Sequence, residues 1–258
     1  MKLCFSKLLC VVALAQMGWF CQSASAVLVN WDALTWASGS LSNSFDVDPG
    51  TPGNDVTVTV GGNTNTLTND IATGGLTPQI DASLTGGLSP VQSSLDIAAN
   101  LHTNSKIVLT IDFSAQYALG VRNVSFNIFD IDLGTNRDQI RNIYGIALDG
   151  SKVAATITNL GSAVTLSGTG LNQTLVGRVT SPDNSANGNA TISFGSTPII
   201  GLAFAFANNA GAPRYQQIAL GDIYFEPIPE VNPALLAAVV CIAAVMLESR
   251  RRSHRSKR

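Results

Sequence analysis

Hydrophobic residues in the middle of this chain recur at every second position over short runs, as in Val56, Val58 and Val60. The runs are separated by Gly, Ser, Thr, Asn and Asp. A period of two sends alternate side chains to opposite faces of a strand. Thus Val124, Phe126 and Ile128 share one face while Ser125 and Asn127 take the other. The same reading predicts strands over 107–113, 124–131, 140–148, 153–157, 163–166, 190–194, 199–206 and 218–225. Asp149-Gly150, between apolar runs, predicts a tight hairpin turn that needs positive φ. The stretch 38–104 suits strands joined by turns, and it holds two similar pieces, Gly74-Gly75-Leu76-Thr77-Pro78 and Gly86-Gly87-Leu88-Ser89-Pro90. Two copies are too few for a solenoid, so they read as paired loops or an irregular β segment. No stretch of the body shows a helical period of useful length. The expected fold is all-β, an antiparallel β-sandwich of jelly-roll character.

The two ends break this pattern. Lys2 and Lys7 precede an apolar run at 8–14, and Ser23-Ala24-Ser25-Ala26 places small residues at the −3 and −1 positions of a cleavage site. That is the layout of a secretory signal peptide, expected as a helix over 1–26 and removed by signal peptidase after passage through the secretion machinery. Cleavage as a lipoprotein before Cys21 is disfavoured by the bulk of Trp19 and Phe20. Near the other end, ALLAAVVCIAAVML over 234–247 carries no charge and is followed by Glu248 and a basic cluster. Fourteen helical residues reach about 21 Å, short of the roughly 30 Å of a bilayer core, so length alone also fits a buried helix. The flanks decide for the membrane. Arg250, Arg251 and Arg252, with Arg255, Lys257 and Arg258 behind them, are what a stop-transfer segment uses to hold its end in the cytoplasm. The expected division is therefore a signal (1–26), a β-sandwich ectodomain (27–225), a linker (226–233), a single short transmembrane or sorting helix (234–248) and a basic tail (249–258).

Charge and cysteine usage narrow the body. Between residues 27 and 230 there are seven Lys or Arg against sixteen Asp or Glu, a net of −9. Such a body has no footprint for gripping phosphates, which argues against nucleic acid as a partner. Cys4, Cys10 and Cys21 lie in the signal and Cys241 in the second apolar run. The body thus has neither a disulfide framework nor a thiolate metal site.

Pro229-Glu230 in a loop, the short apolar helix and the terminal Arg-rich run together resemble the PEP-CTERM sorting signal of Gram-negative exopolysaccharide producers. The resemblance covers about the last 30 residues, and the sequence departs from it at Val231, before Asn232 and Pro233, where a second proline is usual. It implies an exosortase-like membrane enzyme as partner, cutting near this motif, and delivery to the outer surface or an extracellular matrix. The body is similar to the β-rich domains that accompany this signal, through Phe129-Asp130-Ile131-Asp132, Asp138-Gln139-Ile140, Asp149-Gly150-Ser151 and the closing run at 218–225. That resemblance implies a fold and an address but no reaction.

Candidate chemistry is sparse. One histidine, His102, stands in the body, so any nucleophile–histidine arrangement depends on it, and a plain loop histidine is the simpler reading. Glycoside hydrolysis needs two carboxyls on either side of a bond. Asp130 and Asp132, two apart on a strand, point the same way and suit a shared cation better. Asp130, Asp132 and Asp138 flank one loop, and Asp222 joins them if the last strand returns alongside; these four are the expected ligands of a structural Ca2+. Ion pairing to Arg137 or Arg141 and ordinary turn duty are the competing readings. Trp31, Trp36 and Tyr215 are the candidate sugar-stacking aromatics, with burial of Trp31 in a first strand as the alternative. The functional expectation is a non-catalytic structural or adhesive surface protein. A carbohydrate-binding module acting on exopolysaccharide stands second, and a glycoside hydrolase a distant third.

Overall fold

The computed structural model describes residues 25–134, 136–229 and Met246. The signal at 1–24 therefore lies outside the described residues. So do Glu230, Val231, Asn232 and Pro233 of the sorting motif, Arg250, Arg251 and Arg252, and nearly all of the second apolar segment. Among the described residues no helix is long and apolar enough to cross a membrane.

The compact unit Ala24–Ile228 is built almost wholly from strands. In chain order they are β1 (Val27–Val29), β2 (Ser42–Phe45), β3 (Val56–Gly62), β4 (Gln79–Asp81), β5 (Ser94–Leu101), β6 (Lys106–Asp112), β7 (Val121–Phe129) and β8 (Gln139–Ile146). They continue as β9 (Lys152–Ala154), β10 (Thr156–Thr158), β11 (Val164–Ser167), β12 (Thr174–Gly177), β13 (Ala190–Ser193), β14 (Gly201–Ala207) and β15 (Arg214–Pro227). Within this unit the helical content is single 3-10 turns, such as Trp31–Ala33.

Two antiparallel sheets result. One runs β10-β13-β7-β15-β5-β4, with β1 also on β15; the other runs β11-β12-β8-β14-β6-β3-β2, with β9 on β8. The central strands of the two, β5-β15-β7-β13 and β6-β14-β8-β12, interleave in sequence, so β5 to β6, β7 to β8, β12 to β13 and β14 to β15 each cross from one sheet to the other. This is the strand order of a jelly roll.

The core lies between the sheets, where the alternation seen in the sequence does its work. Ile107, Leu109 and Ile111 of β6 point inward, as do Val124, Phe126 and Ile128 of β7. Phe126 stacks on Phe204 of the opposite sheet, with ring centroids 5.9 Å apart. Trp31, wholly buried, meets Phe45 edge to face at 5.9 Å and gives its indole N–H to Gly221 O at 2.9 Å. Burying a side chain of this size is worth about 1.5–3 kcal/mol or more, which is how a body without disulfides is held.

Several expectations meet the structure directly. Between β8 and β9 the chain turns at Asp149-Gly150; Gly150 has φ 80° and donates to Ala147 O at 2.9 Å. The strand expected over 153–157 is two strands, β9 and β10, in different sheets. The chain crosses from one sheet to the other around the buried Ala155. β5 and β12 lie where no strand was singled out. In β5 the polar Asp96 and Asn100 interrupt an apolar run, and loops cover what would otherwise be its wet face.

Candidate functional site

A cleft of about 450 Å³ opens beside the end of β7. Asp130, Asp132 and Asp138 of the β7–β8 loop line it together with Asp183, and Asp70, Gln217 and Tyr215 form the opposite side. The loop is shaped by its own hydrogen bonds. Asp138 N donates to Asp132 O at 3.0 Å, and Asp132 N returns a bond to Asp138 Oδ2 at 3.2 Å. The segment after β12 clamps it from outside: Leu133 N reaches Val179 O, Thr180 Oγ1 reaches Leu133 O at 2.7 Å, and Ser181 N reaches Asp132 Oδ2 at 2.7 Å. Gly177 makes this approach possible, because a Cβ there would run into the Asp132 carbonyl. Asp130 sits at φ 62°, a left-handed conformation that turns the chain sharply out of β7.

The same arrangement leaves the carboxyls poorly solvated. Burial pushes Asp130 up to about 8, with the charges of Asp132 and Asp183 adding to it. Burial also raises Asp132, opposed by the Ser181 N–H, and holds Asp138 well above the carboxylate range, opposed by the Asp132 N–H. Asp138 Oδ1 accepts from Gln216 Nε2 at 2.7 Å, and the Gln216 Oε1 in turn accepts a close hydrogen bond from Asn208. The arginines do not neutralise this group. Arg141 turns to Gln139 Oε1, Asn208 O and Asn209 Oδ1, and the ion pair found among the described residues is Arg122 with Glu226 at 3.1 Å.

Of the four aspartates expected to share a cation, Asp130, Asp132 and Asp138 come to one cleft and Asp222 does not. Asp222 lies six residues beyond Gln216 on β15, about 20 Å along the strand. Its Oδ1 accepts the Trp31 N–H at 3.0 Å, so it fixes the start of the 3-10 turn after β1. Trp31 and Trp36 are 0% and 8% exposed, and both belong to the core, so neither offers a ring face to a sugar. Tyr215 does line the cleft; its hydroxyl donates to Gln217 Oε1 at 2.5 Å and accepts the Ile71 N–H at 3.2 Å. His102 stands in the β5–β6 turn, its Nδ1 accepting from Asn104 N at 3.4 Å.

Behind the cleft stands a second acidic group that the sequence reading did not single out. Carboxylate oxygens of Asp70, Asp81 and Asp96 all lie within 4.8 Å of one another. Asp81 and Asp96 sit on the paired strands β4 and β5, and Asp70 comes from the loop that packs over them. The signal in the sequence was Asp96 itself, a single charge within the run Ser94–Leu101.

No family model and no curated protein matches the chain. Among solved structures it is similar to the family 11 carbohydrate-binding module of a cellulosomal cellulase of Clostridium thermocellum. That likeness has 10% identity over 82% of this chain and 99% of that one, with a TM-score of 0.33. The module from the same organism in complex with a β-1,3-1,4-mixed-linked tetrasaccharide gives 9% identity over 81% and 100%, with a TM-score of 0.34.

Proposed function

We propose that this chain is an exported, non-catalytic surface or matrix protein whose β-sandwich holds a neutral polysaccharide in the acidic cleft. The observation that carries the reading is the lining. Carboxyls, the amides of Asn136, Gln216 and Gln217, and the hydroxyls of Thr180, Ser181 and Tyr215 surround the space, and no Lys, Arg or His contributes among the described residues. Sugar hydroxyls both donate and accept, and carboxylates and amides answer them in pairs. The uniform sign of the charge repels polyanions. Export and sorting rest on the terminal sequence pattern and the resemblance described above, with an exosortase-like enzyme as the partner that acts on the motif at Pro229.

Affinity electrophoresis of the full chain tests this. Migration is expected to slow in gels containing a neutral β-glucan or galactomannan and to be unchanged in alginate. Asp183→Asn, at an exposed lining position, is expected to weaken retardation by about tenfold, the size of a lost hydrogen bond to a charged group. Unaltered migration in every neutral polysaccharide, or release of new reducing ends during incubation, overturns the proposal.

A further inference from the structure

Asp96 is the most anomalous polar group among the described residues. It is 0% exposed, and neither of its carboxylate oxygens has a hydrogen-bond partner. Buried carboxyls are normally satisfied. Asp55, equally buried, shows the ordinary solution: it accepts from Val47 N, Asp48 N and Thr51 Oγ1. Asp96 instead sits in a row across one sheet face, opposite Gln79 of β4 on one side and Ala219 of β15 on the other. Ala219 packs with Leu84 and Phe129 in a small apolar cluster, so one flank of Asp96 is dry. Its other flank faces Asp70 and Asp81, and among the described residues no Lys or Arg forms an ion pair with any of the three.

Asp70 and Asp81 are answered, Asp70 by Ala72 N, Thr73 N and Thr73 Oγ1 of its own loop and by Gln217 Nε2, and Asp81 by Ser83 N and Ser83 Oγ, which leaves Asp96 as the unsatisfied member. Gln79 Nε2 lies 3.4 Å from Asp70 Oδ2, 2.5 Å from Thr73 Oγ1 and 2.6 Å from Asp81 Oδ2, and an amide has two hydrogens for these three acceptors. A half-turn of that amide exchanges its nitrogen for its oxygen in nearly the same place. Three carboxylates, a hydroxyl and an amide oxygen are then gathered from three separate pieces of chain, with Asp96 aimed among them; the Gln217 side chain and the Ile97 N–H favour its charge only weakly against its burial, and neither closes a hydrogen bond to it.

We propose that Asp70, Asp81 and Asp96 bind a calcium ion, with Thr73 Oγ1 and Gln79 Oε1 available to complete its shell. Calcium suits the donors: all are hard oxygens, and its shell of six to eight tolerates an irregular set that the strict octahedron of magnesium does not. The ion ties the loop carrying Asp70 and Thr73 to β4 and β5, and so sets the wall of the cleft that Asp70 and Gln217 form. The site is separate from the loop of Asp130, Asp132 and Asp138, and it stands whatever the cleft takes.

The test is a melting curve of the full chain in mild detergent, stripped with a chelator and then titrated with calcium chloride. At about a hundredfold excess over the dissociation constant, the midpoint is expected to rise by roughly 5–10 °C and to return on adding chelator. Asp96→Asn, whose amide matches the carboxyl in shape, is expected to fold without metal and to lose the rise; Asp81→Asn is expected to lose it as well. Asp130→Asn and Asp132→Asn are expected to keep it. A wild-type midpoint indifferent to calcium overturns the proposal, as does a rise that survives in both Asp96→Asn and Asp81→Asn. A rise abolished by Asp130→Asn or Asp132→Asn but kept in Asp96→Asn places the ion elsewhere and overturns it equally.

Discussion

Asp130 and Asp138 owe their behaviour to where the β7–β8 loop puts them. Both are held above the ordinary carboxyl range, Asp130 at about 8, and in each burial is the largest cause. An unfolded aspartate titrates near 3.9, so the folded chain binds these protons more tightly than the unfolded one. The stabilisation is complete below pH ~4 and is lost as the pH rises through the folded values. In chelator, the thermal midpoint is therefore expected to fall between about pH 5 and pH 8, and Asp130→Asn to flatten that slope. A midpoint that climbs over this range in the wild-type chain contradicts the assignment. At this scale the sequence was half legible. The grouping of Asp130, Asp132 and Asp138 followed from their spacing around one short loop. Asp222 was misplaced because joining the group required the register of β15, which spacing along the chain does not encode. Asp70, Asp81 and Asp96 went unread for a related reason: they meet through the β4–β5 pairing and a loop folded back over it.

Strands with a clean period of two were visible from sequence because one face meets the core and the other meets water, as in β3, β6 and β7. Strands buried on both sides lacked that signal. β5 carries an aspartate inside a nearly all-buried run and shows no alternation, whereas β14, with every residue buried, was legible over 199–206 from its unbroken apolar run alone. The two Gly-Gly-Leu pieces were legible as loops, and both end in a cis X-Pro bond, at Thr77-Pro78 and Ser89-Pro90. A glycine tests the element that shapes the cleft. Gly177 closes β12 against the Asp132 carbonyl, where a methyl group has no room. Gly177→Ala is expected to destabilise the body by about 2–4 kcal/mol, read from urea unfolding, because backbone lies on the far side of the clash and has no rotamer to yield. A loss below about 0.5 kcal/mol would show that the clamp between 177–181 and the β7–β8 loop is not tight.

For the whole molecule, the proposal of export rests on the terminal sequence pattern and is open to direct test. A reporter enzyme that works only outside the cytoplasm, fused after Phe225, is expected to be active in cells, and removal of residues 1–26 to silence it. If the proposal of export holds, the intact mass of chain recovered outside the cytoplasm is expected to lack the run from Arg250 to Arg258; persistence of that run would mean retention without processing at the Pro229 motif. The sandwich class was legible from short alternating runs and turn residues. The strand order was not, since it depends on pairings such as Val27 with Phe225, almost 200 residues apart.

That long-range closure has a consequence for timing. β15 occupies the middle of its sheet, with β7 along one edge and β5 and β1 along the other. Until residues 214–227 arrive, β5 and β7 have no common neighbour and the first strand has nothing to dock on. Contacts so distant in sequence form slowly, and here they cannot form early. A polypeptide threaded amino end first through a narrow channel would thus leave this one sheet, though not its partner, unfastened until residues 214–227 slip free.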